Sequence, residues 1–258
     1  MADGVSVEGH VTGPVIEHVG AEKRITKVFV DELVKKILDG ERDFRKIVLS
    51  DGFYLCEHDG YKKLQERLKQ NKEPLILDGA VLINLRAELN LSQVSAEGAD
   101  FSYSHLSGSN FEEAKLRRTT FYSSDLSSSS TRFRNADLTR AVLSNTSLVE
   151  AYMGNADLSY ANLIDARLNR AELIEVNFTG TRLDGADITQ ANISYANFCR
   201  TQMNGIKNLK ATIGLYTASF TEVEAYDKDK ITILKANKRK QLFKDEKLGW
   251  FTRTFGLY

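Results

Sequence analysis

Proline is almost missing from this chain. Of 258 residues only Pro14 and Pro74 are proline, and the 184 residues after Pro74 contain none, where average usage of roughly 5% would place about nine. Proline has no backbone N–H and is confined to edges and strand starts. Its absence therefore points to a long, continuous hydrogen-bonded ladder. Cysteine is just as scarce: Cys56 and Cys199 are too few and too far apart for a metal site or a disulfide framework, and two reduced thiols are expected. An excess of one charge is lacking too. The 35 basic and 35 acidic residues cancel, so the net basic field used by bulk polyanion binders and membrane-surface proteins is absent. No apolar run approaches the roughly 18 residues of a spanning helix. The opening MADGVSVEGHVTGPVIEHVG carries acidic residues where a secretory signal needs basic ones. These absences lead to an expectation of a cytoplasmic protein with no membrane partner.

What is present is a repeat of five. From Phe101 to Met203 every fifth residue is large and apolar, with one two-residue slip between Leu126 and Phe133, giving 21 such positions. The residue two before each is small, most often alanine, and the other three are mostly polar. This period fits neither the 3.6 of a helix nor the 2.0 of a flat strand, so the chain must turn a corner once per quintet. Four short sides close a coil of about 20 residues, and stacked coils can pair their backbones at about 4.8 Å. The phenylalanines agree with that length: Phe101 and Phe121 are 20 apart, as are Phe178 and Phe198, while Phe111 and Phe133 are 22 apart across the slip.

Segments such as ADLSYANLIDARLNRAEL and GADITQANISYANF resemble the pentapeptide-repeat family, whose consensus is A(D/N)LXX. The resemblance covers about 75–206 and implies an all-β solenoid, a right-handed quadrilateral β-helix, in a bacterial protein. DELVKKILDGERDFRKIVLSDGFYL resembles the capping helix and first turn of cyanobacterial members, with Phe44, Leu49 and Tyr54 again five apart. The expected organisation is an N-terminal extension (1–25), a capping helix and partial coil (26–56), a helical insertion (57–74), the array (75–206) and a helix-containing tail (207–258). The capping helix is read over 26–39, with Val28, Val30, Leu33, Val34 and Ile37 apolar; the insertion carries Tyr61, Leu64 and Leu68 at helical spacing. Solenoid ends need covering. Trp250, Phe251, Phe255 and Tyr258 suit the tail either to cap the array or to form a homodimer, leaving monomer and dimer both open.

Residues for chemistry are hard to find. His10, His18, His58 and His105 are dispersed, with none in a HExxH, HxH or Cys-His spacing, and there is no GxGxxG or phosphate loop. An interior filled with alanine and leucine leaves no room for a substrate. Neither catalysis, a cofactor nor a metal is expected.

The reading reached is a non-catalytic scaffold for protein–protein interaction, with a regulatory role open to it. Placing outward residues on the repeating coil puts Lys115, Arg117, Arg118 and Arg140 on one face, with Arg134 near the adjoining corner and Tyr103 and Tyr122 on the next face. Arginine and tyrosine are enriched at binding hot spots. The resemblance offers an alternative: some members, the Qnr-type quinolone-resistance proteins among them, mimic DNA and bind type II topoisomerases such as DNA gyrase. B-DNA carries one charge per about 1.7 Å, whereas residues 79–206 hold 14 acidic and 11 basic residues, a net of −3, with no acidic stripe. The slip at SSSSTR (127–132) is a two-residue corner bulge where Qnr-type proteins carry functional loops. Direct binding of nucleic acid or membrane through the basic run KANKRKQLFKDEK is disfavoured, because Asp245 and Glu246 dilute it.

Overall fold

The computed structural model describes residues 26–49, 54–70 and 73–225. The expected N-terminal extension and, from residue 226 on, the expected capping or dimerisation tail lie outside the described residues. The array is a stack of coils joined by parallel bridges that recur once per coil, as in Asp137↔Asp157↔Asn177↔Asn197. Four such ladders run along it, one per side of the coil. The first side runs through Ser95, Lys115 and Asp137; the second through Asp100, Thr120 and Val142; the third through His105, Asp125 and Ser147; the fourth through Asn110, Arg132 and Tyr152. These ladders explain the missing proline. Most backbone N–H groups of the array bond to the next or previous coil, as Thr120 does to the Ala99 carbonyl (2.8 Å) and Phe121 to that of Val142 (2.7 Å).

Each member of the quintet has a physical task. The large residue and the small one two before it point inward and are fully buried, as in Ala136 with Leu138 and Ala141 with Leu143. The residue between them forms the bridge and faces out. When it is Asp or Asn, its side chain accepts the N–H two residues on: Asp100 takes that of Ser102 at 2.9 Å, and Asp157 that of Ser159 at 2.9 Å. The corner is a turn closed by hydrogen bonds such as Ser104 N–H to Phe101 O (3.2 Å). Its third residue is left-handed, as at Tyr103 (φ 60°), Arg118 (φ 57°) and Arg140 (φ 61°), the conformation a type II turn demands. Phenylalanines stack in columns, Phe101 on Phe121 (5.3 Å), Phe111 on Phe133 (4.9 Å) and Phe178 on Phe198 (4.8 Å). Inward Ser and Thr are satisfied by the coil before them: Thr119 donates to Ala96 O (2.7 Å) and Thr181 to Leu158 O (2.7 Å).

The N-terminal end departs from the expected plan. Strand β1 (Thr26–Val28) pairs in parallel with β2 (Ile47–Leu49), and helix α1 (Val30–Leu38) lies between them. Val28 is thus in a strand, not in the helix expected over 26–39, because β1 completes the edge that β2 would leave open. Leu33, Val34 and Ile37 of α1 are buried against the first coil, leaving an apolar cavity of about 40 Å³ beneath the helix. Tyr54 is the bridge residue paired with Arg86 and is 51% exposed, whereas the neighbouring Leu55 is buried. The five-residue phase that would turn Tyr54 inward slips by one here, and Tyr54 instead carries the Arg86 guanidinium 4.5 Å above its ring.

Helix α2 (Tyr61–Lys69) buries Leu64 and Leu68 and covers the exposed start of the fourth side. The Tyr61 hydroxyl donates to Glu88 O and accepts from Glu88 N–H, both at 2.8 Å. Asn90 reaches the Leu68 carbonyl at 3.1 Å. At the other end the ladder passes residue 206, the boundary read from sequence, and continues through Asn192↔Ile213, Asn197↔Ser219 and Gln202↔Glu224. Phe220 extends the aromatic column, 4.8 Å from Phe198. A further slip hides this continuation, because the partners in those bridges are slightly farther apart in sequence than in a regular coil.

Candidate functional site

The second side of the array is bordered by two different corners. On the corner shared with the first side, Arg118 and Arg140 occupy consecutive coils. Both are exposed and left-handed, and among the described residues neither guanidinium has an ion-pair partner. Their spacing is set by the backbone, since Arg118 N–H bonds to Thr139 O and Arg140 N–H to Ser159 O, each at 3.0 Å. Lys115 and Arg117 lie beside them on the first side; Lys115 bridges to Asp137, and Arg117 approaches the Asp137 carboxylate at 3.7 Å. Toward the opposite border, Tyr103 N–H bonds to Tyr122 O (2.9 Å) and the two rings meet edge to face, 5.5 Å apart at 89°. Tyr103 is 51% exposed and Tyr122 37%. Arg134 does not join this group. It stands on the fourth side, with the width of the first side between it and Arg118.

Residues the repeat arithmetic passed over enlarge the picture. Tyr160 (59% exposed) follows Arg118 and Arg140 in the same corner column, and its ring lies across Gly180, where an added Cβ would sit 2.7 Å from it. Its place one regular coil after Arg140 was the available signal. On the fourth side, a hollow of about 480 Å³ opens beside the bulge, with Arg132, Arg134, Tyr152 and Ile174 among its lining residues. Arg132 and Arg134 flank the buried Phe133, so their alternation put both outside.

Against known families, the chain matches the family described as pentapeptide repeats, in eight copies spanning residues 97–130, 136–173, 151–190 and 166–205. The array over these residues is made of pentapeptide repeats. Similar solved structures include HetL, a pentapeptide-repeat protein involved in heterocyst differentiation regulation from the cyanobacterium Nostoc sp. strain PCC 7120. It is 22% identical, with 77% of this chain and 96% of that one covered and a TM-score of 0.27. QnrB1, a plasmid-mediated fluoroquinolone resistance protein, is 17% identical, with 83% and 90% covered and a TM-score of 0.38. Rfr23 from the cyanobacterium Cyanothece 51142 is 25% identical, with 55% and 66% covered and a TM-score of 0.19. No curated protein sequence matches the chain.

Within the pentapeptide array, groups able to do chemistry stay apart. Among the described residues no three His, Cys, Asp or Glu side chains gather where they would hold a metal, and no helix is long and apolar enough to cross a membrane. Cys56 is exposed and Cys199 half-buried, both unpaired. His105 is exposed on the third side, and His58 Nε2 sits 2.9 Å from the Asp31 carboxylate at the N-terminal cap. Four groups among the described residues have displaced pKa values: the Arg45 and Arg200 guanidiniums are pushed up by the carboxylates of Asp43 and Glu222, and Tyr61 and Asp187 shift for reasons of burial and hydrogen bonding. Burial pushes the Tyr61 phenol up, consistent with its protonated role at Glu88. Burial pushes the Asp187 carboxyl up as well, but hydrogen bonds from Thr189, Asn169 and Asn208 outweigh it and hold the group below the usual carboxylate range.

Proposed function

We propose that this right-handed, four-sided β-helix is a non-catalytic scaffold that binds a protein partner across its second side, between the Arg118/Arg140 corner and the Tyr103/Tyr122 pair. The observation that carries the reading is the register of those residues. Stacked coils hold, one coil apart, two guanidiniums with no carboxylate partner among the described residues, so their mutual repulsion is built into the fold, and an acidic group of a partner would relieve it. The tyrosines add apolar area at little entropic cost. Lys115 and Arg117 widen the cationic border; Arg134 belongs to another side and is left out of this surface. The partner's acidic character follows from the arginines, and a regulatory role suits a protein that binds without turning a substrate over.

The test is capture of partners by the native protein and by the double variant Arg118→Glu/Arg140→Glu. Loss of a specific captured protein, with thermal unfolding unchanged, supports the reading. Capture that is identical for both proteins overturns it. A DNA-mimicking modulator of gyrase would need acidic columns, yet the columns here mix signs, as in Arg86, His105, Asp125, Ser147, Arg167 and Asp187 along the third side. Unaltered gyrase supercoiling in the presence of the purified protein is therefore the expected result.

A further inference from the structure

The hollow on the fourth side is independent of that surface. It lies where two columns meet: Asn110, Arg132, Tyr152 and Glu172 in the ladder, and Glu112, Arg134, Gly154 and Ile174 two residues on in successive coils. Gly154 makes the floor low. Its backbone gives no reason for glycine, because it is not among the left-handed residues. Space gives none either, since an added Cβ would meet only the Ile174 carbonyl, at an ordinary 3.7 Å. Neighbouring coils carry Glu112, Arg134 and Ile174 at the same position. The missing side chain is thus a local departure whose visible consequence is the cavity.

Its walls are chemically unlike one another. Arg132 and Arg134 are exposed and, among the described residues, form no ion pair. The Glu172 carboxylate accepts a hydrogen bond from Asn192 Nδ2 at 3.0 Å and stands beyond Tyr152, two coils from Arg132. Tyr152 and Ile174, 46% and 36% exposed, supply an aromatic and an aliphatic wall beside Gly154. Glu112 and Glu172 stand at the two ends of the hollow along the axis, where they would repel an extended polyanion. They leave room for one anionic group only.

We infer that this hollow binds a small molecule in which a single oxyanion, phosphate or carboxylate, is joined to a flat ring. The oxyanion sits between the Arg132 and Arg134 guanidiniums, whose planar forks suit such a group. The ring lies over Gly154 against Tyr152 and Ile174, the stacked or edge contact that aromatic groups favour. A volume of about 480 Å³ falls within the range of small-molecule sites.

The test follows the backbone amide signals of the full chain by NMR during titration with phenyl phosphate, benzoate, inorganic phosphate or phenol. Saturable shifts at residues 132–134 and 152–155 are expected for phenyl phosphate or benzoate below about 10 mM, and whichever binds more tightly identifies the anion. Inorganic phosphate should bind at least about tenfold more weakly than the tighter ring compound, and phenol should not saturate. Gly154→Leu fills the floor at a position where other coils carry large residues. It should abolish the ring-dependent gain while keeping the melting temperature. If that variant does not fold, Arg132→Gln/Arg134→Gln serves instead and should abolish binding of both anions. Absence of saturable shifts from both ring compounds, equal binding by inorganic phosphate, or undiminished binding in a folded Gly154→Leu protein would each overturn the inference.

Discussion

The first coil and the middle of the array follow the same ladder with different interiors. In the middle, a small and a large residue alternate regularly, and phenylalanines stack in register. In the first coil the order is broken: Leu85 is followed two residues on by Ala87, Val94 by Ala96, and Leu89 and Leu91 are both large, all of them buried. Its path is also shorter, since the bridges Ile76↔Ser95 and Val81↔Asp100 close one position earlier than those of a regular coil. The difference teaches where regularity is required. A coil with full coils on both sides must match them, whereas this one is preceded only by the partial coil through Asp43, Val48 and Tyr54 and packs also against α1 and α2, whose side chains can be fitted individually. Family matching accordingly begins only at residue 97.

The largest expected effect that sharpens this contrast is in the middle. Phe121→Ala removes a ring stacked on Phe101 and in edge contact with Phe111 and Phe133, and should cost about 3–5 kcal/mol in urea unfolding. Leu33→Ala, set beside the cavity under α1, should fall toward the low end of the roughly 2–5 kcal/mol range for leucine; a cost equal to that of Phe121→Ala would mean the ends are packed as tightly as the middle. Tyr61→Phe leaves both backbone groups of Glu88 without the hydroxyl that serves them. It should cost about 1–3 kcal/mol, and amide exchange should quicken at Glu88 and not in the middle coils. Thr119→Val removes one interior hydroxyl whose acceptor, the Ala96 carbonyl, still receives the Ala99 N–H, so about 0.5–1.5 kcal/mol is expected.

The smallest effect is that of pH on Asp187. Its folded carboxyl is held below the ordinary value, so the unfolded chain binds the proton more readily. The contribution is complete above the unfolded pKa and is lost as pH falls through the folded one. Asp187→Asn should therefore flatten the acid side of the stability profile slightly, measured as melting temperature against pH.

How far the sequence could be read depended on repetition. Phe101 through Phe198 announced the coil length because identical contacts recur at each level, and counting by coils put Arg118 and Arg140 on one face and Tyr103 and Tyr122 on the next. Counting failed wherever the length of a coil changed. The five-residue spacing of Phe44, Leu49 and Tyr54 does not carry Tyr54 into the interior, and Phe220 lies past the expected boundary although its offset from Phe198 equals that of Phe133 from Phe111 across the first slip. The hollow was invisible for a different reason: Gly154 is unremarkable in a list, and only the stacking of Arg134 below it and Ile174 above makes its missing side chain a cavity.

The sequence by itself determined the ladder, the corner and the dry interior, because a five-residue period permits inward packing only if the chain turns once per repeat. Tertiary structure alone decided which outward residues become neighbours. They are brought together by stacking from one coil to the next, and a one- or two-residue slip moves a side chain to another face while leaving its quintet unchanged.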